Sequence, residues 1–398
     1  MKKIGLLVLF PVAVAMTCLL FLIRPVNAIA FPPKKTPAVK GDVRYMDLFR
    51  DKPQFEDLFL AGNDSVATIF LLGSSELTDA TEATPYFFIT DHFVNTKLIG
   101  VGHAGNQCFS IFSQLLAHES ELENTPIVII LSPGWFQSDD AKGTASPIFL
   151  EYNSDVFLNS IVNNTSASDA VFRKYEARRI ADLYTEIVNP DLTTKLLFFE
   201  HQSTKSVVHK AAYSPFILID KALNDLKFKL LHTQRSTPKV KHKAIVPESI
   251  VIDWDSLYKT SRDTMLARSN NNSWYIDNAY YSEYVNGETG VITPVKRSEN
   301  RELRDFKMLL KLLKAKKANA SFVIMPLNPF YYSNIKEMDP VMNELKADVK
   351  KAGYPCLNLW NTDTKTYDKG ILRDIMHLGD YGWYQVNKFI VDTYNLQK

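Results

Sequence analysis

Val66-Ala67-Thr68-Ile69-Phe70-Leu71-Leu72-Gly73-Ser74-Ser75 is an apolar run that stops abruptly on three small residues. Continuous apolar character over seven or eight residues predicts a strand buried on both faces, the kind found in parallel sheets. The same pattern returns at Lys97–Gly102, followed by His103-Ala104-Gly105-Asn106, and at Pro126–Leu131, followed by Ser132-Pro133-Gly134-Trp135. Helical spacing is predicted up to about His118, over 167–188, over 299–316 and over 339–352, with further strands at Ser321–Met325 and Pro355–Trp360. A last helix follows Gly379, with Trp383, Val386, Phe389 and Ile390 on one face. Strands that alternate with helices in this way predict an α/β layer fold with a parallel sheet. Residues 200–295 are less regular and read as an insertion in a domain that spans 61–398.

Outward from that core, Ile4 to Ile23 holds no charged residue, a length that crosses about 30 Å of hydrocarbon as a helix. Lys2 and Lys3 precede it, so the positive-inside rule leaves the short N-terminus cytoplasmic and the rest of the chain outside. We read residues 1–30 as an uncleaved single-pass anchor in the cell membrane; Ala28-Ile29-Ala30 offers the competing reading of a cleaved signal peptide. Residues 31–60, which open on Phe31-Pro32-Pro33-Lys34-Lys35, read as a stalk. The 398 residues carry 46 Lys+Arg against 44 Asp+Glu, a formal charge of +2, which argues against a nucleic-acid binder. Cys18, Cys108 and Cys356 have no metal-ligand spacing and form no disulfide framework, and the histidines lack ligand spacing too, so no metal is expected.

Ligands of open parallel sheets bind outside the carboxyl ends of the strands. The loops after Gly73, Gly102 and Leu131 therefore converge, and Arg373-Asp374-Ile375-Met376-His377-Leu378-Gly379 precedes the last helix and reaches the same edge. A serine hydroxyl needs an imidazole to take its proton, and the imidazole needs a carboxylate to hold its tautomer. Ser75, His377 and Asp374 supply those roles in the order Ser…Asp-x-x-His. The backbone N–H groups of Ser75 and Gly105 are candidates for binding an oxyanion. Taken singly, each element also has an ordinary reading as a turn or a helix cap. Glu76, His103, Asn106, Gln107, Trp135 and Trp383 are candidate substrate contacts, with turn, packing and core roles as the alternatives.

Leu72-Gly73-Ser74-Ser75-Glu76-Leu77, Gly102-His103-Ala104-Gly105-Asn106-Gln107, Leu131-Ser132-Pro133-Gly134-Trp135-Phe136 and Asp374-Ile375-Met376-His377-Leu378-Gly379 with Gly382-Trp383 resemble the SGNH hydrolase superfamily. Within it they resemble the DltD family of D-alanyl-lipoteichoic acid biosynthesis. The looser segment 298–306 and Met325-Pro326-Leu327-Asn328-Pro329 also match. The resemblance implies a three-layer α/β/α, flavodoxin-like domain facing outwards and a serine acyl-enzyme without a cofactor. It further implies transfer of D-alanine to teichoic acid, beside a membrane-bound O-acyltransferase partner. On the superfamily's Gly-Asp-Ser block, Ser75 takes the nucleophile position and Ser74 falls where the Asp stands. Two departures accompany the match. Gly134 replaces the Gln of the family's third block, and Gly379-Asp380-Tyr381-Gly382-Trp383 replaces Gly-Trp-x-Gly-Trp. An O-acetyl transferase or esterase on another envelope polysaccharide, and a non-catalytic scaffold for the acyltransferase, are the alternative functions.

Overall fold

The computed structural model describes residues 43–48, 67–93, 95–145, 148–149, 152, 170–186 and 251–396. The expected membrane anchor lies outside the described residues, and among those described no helix is long and apolar enough to cross a membrane. The chain divides into two units, one of residues 42–157 and 235–398, the other of 1–41 and 158–234. The second is described through a helix, Ala170–Glu186, on which Phe172, Glu176, Arg179 and Leu183 are buried at helical spacing.

The first unit is built on a six-stranded, all-parallel sheet. In chain order its strands are β1 (Tyr45–Asp47), β2 (Ala67–Gly73), β3 (Thr96–Gly102), β4 (Ile127–Leu131), β5 (Ala320–Ile324) and β6 (Cys356–Asn358). They lie in the order β1-β3-β2-β4-β5-β6. Without the edge strand β1 this is the doubly wound order in which the winding reverses between the first and third strands, here β2 and β4. β4 reads Ile-Val-Ile-Ile-Leu and is buried at every position. Its β-branched residues suit a strand covered on both faces.

Alternate residues of the strands feed two cores. Ile69, Leu71, Val128, Ile130 and Val323 face a cluster that includes Tyr86, Phe87, Trp383, Val386 and Ile390. The intervening residues include Phe322, whose ring meets Phe306 edge-on with centroids 6.3 Å apart. Helices α1 (Pro85–His92) and α2 (Cys108–Ala117) follow β2 and β3, and α7 (Asp380–Tyr394) packs beside α1. Between them in sequence come α3, the helix Ala170–Glu186 named above, α4 (Trp254–Arg268), α5 (Arg301–Ala315) and α6 (Asp339–Ala352). α5 presents Leu303, Phe306, Leu310 and Leu313 at helical spacing and packs against α2. The three-layer expectation therefore corresponds to helices over both faces of a parallel sheet.

Two spans hold elements that the sequence reading did not name. Tyr45–Asp47, inside the expected stalk, pairs with Gly100–Gly102 as an edge strand, and its Tyr45 ring stacks on Tyr86 at 5.4 Å. Gly100 leaves room for that contact, since a Cβ there would come within 2.5 Å of the Tyr86 ring. Within the expected insertion, 251–295 contributes α4, which packs on α7. Asp253 caps α4 by accepting the Ser256 N–H at 3.0 Å.

Candidate active site

β2 and β3 end in register on Gly73 and Gly102. A Cβ on Gly102 would press on the carbonyl of Gly73, so backbone meets backbone where the two loops leave the sheet. The chain then turns at His103–Asn106, where Asn106 N–H bonds His103 O at 3.0 Å and Gly105 adopts φ +85°. A β-turn of this kind needs a positive φ at its third residue, which glycine supplies.

The two serines after β2 have different surroundings. Ser74 is buried, accepts the Gly105 N–H at 2.9 Å and donates to His103 O at 3.2 Å, so it ties the first loop to the second. Ser75 Oγ stands 3.3 Å from His377 Nε2. The Ser75 N–H has no acceptor among the described residues, whereas the Gly105 N–H, expected at the oxyanion, is occupied by Ser74.

His377 and Asp374 come from one loop closed on itself. Arg373 N–H bonds His377 O at 3.0 Å and Gly379 N–H bonds Ile371 O at 2.9 Å, with Leu372 bridged to Leu378. Gly382, in the first turn of α7, lets this loop lie close, because a Cβ there would come within 2.6 Å of Ile371 O. Inside the loop Asp374 Oδ1 accepts the N–H groups of Met376 at 2.8 Å and His377 at 2.7 Å. Its Oδ2 sits 2.9 Å from His377 Nδ1, which leaves Nε2 for the serine. Burial raises the Asp374 carboxyl, but the His377 hydrogen bond and charge and the two N–H groups outweigh it and hold it below the usual value. Burial likewise lowers His377, yet the Asp374 hydrogen bond and charge, then the charge of Glu76, hold it above the usual value against the opposing Arg373.

Neighbouring segments hold this loop in place. Asn328, fully buried after β5, donates its N–H to Ile375 O at 3.1 Å and its side-chain amide to Trp274 O at 2.8 Å. Asp277 N–H bonds Arg373 O at 2.8 Å. A cleft of about 470 Å³ opens over Asp374 and His377, with Tyr280, Tyr284 and two ion pairs at its lip. The pairs are Arg268 with Asp277 at 2.6 Å and Arg373 with Asp79 at 2.5 Å. Sequence reasoning passed over these residues. Arg373 adjoins the Asp-x-x-His motif, Asn328 ends a strand, and Tyr280 and Tyr284 stand four apart, which are the signals they carried.

Several expected substrate contacts turn inward. Glu76 is 5% exposed and its Oε1 accepts the Ser74 N–H at 2.7 Å. Asn106 is fully buried, donates to Gly73 O at 2.9 Å and accepts from Gln114 at 3.1 Å. Gln107 is buried and donates to Asp140 O at 3.3 Å. In each case a polar side chain satisfies a buried neighbour, as buried polar groups generally must. Trp135 and Trp383 are buried, Trp383 in the core beside α1, so neither walls the cleft. His103 keeps partial exposure, with Nδ1 3.0 Å from Asp47 Oδ1 and its ring edge-on to Tyr152.

The sequence profile described as "DltD protein" matches residues 53–395, most of the chain. The chain belongs to the DltD family. It is similar to Protein DltD of Bacillus subtilis (strain 168), 24% identical over 352 residues that cover 82% of this chain and 82% of that protein. It is similar also to Protein DltD of Staphylococcus aureus (strain NCTC 8325 / PS 47), 22% identical over 335 residues, 80% of this chain and 79% of that one. At the first departure from the family pattern, a Cβ on Gly134 would meet, among the described residues, Ser132 Oγ alone, at an ordinary 3.5 Å. At the second departure, the Tyr381 hydroxyl donates to Asp368 Oδ2 at 2.7 Å, a contact at the start of α7.

Proposed function

We propose that this DltD-family chain transfers an acyl group through a covalent intermediate on Ser75, at the outer face of the cell membrane. The observation that carries the reading is the contact chain from Ser75 Oγ to His377 Nε2 and from His377 Nδ1 to Asp374 Oδ2, set where the sheet reverses its winding. Ser75 Oγ attacks the acyl carbonyl carbon while its proton passes to His377 Nε2, and the carbonyl electron pair moves onto oxygen. Collapse restores the carbonyl and expels the leaving group, which takes the proton from Nε2. An acceptor hydroxyl then attacks the acyl-enzyme, gives its proton to His377, and leaves as the ester with Ser75 restored. Asp374 holds the imidazole tautomer and stabilises the imidazolium. The Ser75 N–H offers one donor to the oxyanion, and the step needs no cofactor.

Family membership favours D-alanine as the acyl group, teichoic acid as the acceptor, and a membrane-bound O-acyltransferase as the partner that brings the activated acyl group across the bilayer. The acceptor enters by the cleft above Asp374 and His377. The test measures alkali-labile groups released from native envelopes of cells carrying wild type, Ser75→Ala or Ser74→Ala. Ser75→Ala is expected to abolish D-alanine release, and purified Ser75→Ala to lose fluorophosphonate labelling, a loss of at least about 10³-fold in turnover. Ser74→Ala, which loses only loop-tying hydrogen bonds, is expected to keep the labelling. Loss of acetate instead of D-alanine would preserve the mechanism and change the substrate. An unaltered release from cells with normal levels of Ser75→Ala protein would favour a scaffold, the reading favoured by the lack of a side-chain donor at Gly134.

A further inference from the structure

One buried acid beside the nucleophile has no part in the steps above. Glu76 follows Ser75 directly, and its carboxylate is turned away from solvent into the turn that carries the serine. Oε1 accepts the Ser74 N–H at 2.7 Å, and a Cβ at Gly73 would come within 2.5 Å of that same oxygen. The last residue of β2 is thus a glycine where the carboxylate needs the space. An amide side chain would accept the Ser74 N–H equally well without the cost of burying a charge. The hydrogen bond alone does not account for an acid.

We propose that Glu76 is a positioning residue: it fixes the Ser74–Ser75 turn and its negative charge stabilises the imidazolium that His377 becomes on taking the Ser75 proton. The inference rests on the acyl-enzyme reading above. Burial holds the Glu76 carboxyl above its usual value, and the N–H groups of Ser74 and of Glu76 itself, and then His377, pull it only part of the way back. The charged groups that act on His377 come from two elements, Asp374 and Arg373 from its own loop and Glu76 from the turn after β2. Arg373 opposes the imidazolium and is itself paired with Asp79. Across the cleft the charges of Arg268 and Asp277 are paired with each other. Tyr280 and Tyr284 are neutral at physiological pH, with phenols pushed above their usual value, Tyr280 by burial and Tyr284 by its Glu283 hydrogen bond. The imidazolium therefore answers to two carboxylates on different segments. Asp374 holds Nδ1, and Glu76 supplies charge from the side of the nucleophile.

The experiment compares wild type with Glu76→Gln in the full-length chain, using hydrolysis of p-nitrophenyl acetate as the readout and Ser75→Ala as the blank. Gln keeps the acceptor for the Ser74 N–H and removes the charge. Loss of an anion lowers the proton affinity of His377, so the acidic limb of the kcat/KM profile is expected to move to lower pH. The plateau is expected to fall about tenfold, the size of one modest charge interaction. An unmoved limb would overturn the proposal. If Glu76→Gln does not fold, carboxyl and imidazole NMR titrations of the unaltered protein decide: a Glu76 that stays protonated throughout the titration of His377 would sink it. If Ser75→Ala hydrolyses the ester as fast as wild type, the acyl-enzyme reading fails. The NMR titrations still judge Glu76 in that case.

Discussion

Two parts of the site are made differently: its floor, the loops after β2 and β3 that carry Ser75, and the lip of the cleft over Asp374 and His377. On the floor, Gly73, Ser74, Gly102, Gly105 and Asn106 bind one another through backbone contact and short buried hydrogen bonds. At the lip, long side chains face one another in ion pairs, with Arg268 61% exposed and Tyr284 65% exposed. A floor of backbone contacts and short, buried side chains fixes where Ser75 stands against His377. A lip of exposed charges and rings leaves the choice of what enters open to substitution. The two regions should therefore answer mutation in opposite ways, the floor through stability and turnover together, the lip through substrate affinity.

The largest effect is expected on the floor. Gly102→Ala drives a methyl group into the Gly73 carbonyl, and overpacking of this kind costs roughly 1–3 kcal/mol. We expect thermal unfolding several degrees below wild type together with a marked loss of turnover. Full activity in a normally stable variant would show that the spacing of the two loops is not fixed by this contact. An intermediate effect is expected at the Asp374–His377 pair, which joins floor to lip. His377 is raised above 6.5, so its contribution to stability is complete below pH 6.5 and is lost as pH rises through the folded value. Asp374 is lowered below 3.8, so its contribution is present above pH 3.8 and is lost as pH falls through the folded value. The stability difference between wild type and Asp374→Asn should peak between those two values, on the order of 1–3 kcal/mol for a hydrogen bond to a charged group. A difference that grows steadily from pH 6.5 to pH 9 would contradict the pairing. The smallest effect is expected at the lip. Arg268→Ala removes an exposed pair worth about 0–1 kcal/mol, so unfolding should hardly move while KM for the natural acceptor rises a few-fold. Equal changes in KM and kcat would assign Arg268 to the floor's class instead.

The contrast also explains what could be read from the sequence. β2, β3, β4 and β5 lie within a residue or so of the expected spans, because unbroken apolar runs between small residues have few other solutions. Ser75, Asp374 and His377 were legible because their chemistry demands particular residue types, and the structure brings them together. α1 was missed since Tyr86, Phe87, Phe88 and Ile89 are all buried and leave no amphipathic period to detect. α4 was missed for the opposite reason, as it buries only Ser261 and Met265. Glu76, Asn106 and Gln107 stood as candidate substrate contacts because polarity is visible in a sequence and burial is not. Each faces a backbone group that only the fold brings near.

The Gly73–Gly102 contact acts as a gauge block between the two loops. Its thickness is that of two peptide backbones, and no larger residue can be traded in to widen it gradually. Any widening of the site within this scaffold must therefore be written elsewhere. Over the Gly105 turn, Ile148 abuts the glycine and the Tyr152 hydroxyl binds Ala104 O at 2.7 Å. Those side chains can be exchanged while the strand ends keep their spacing, so variation among relatives should concentrate there.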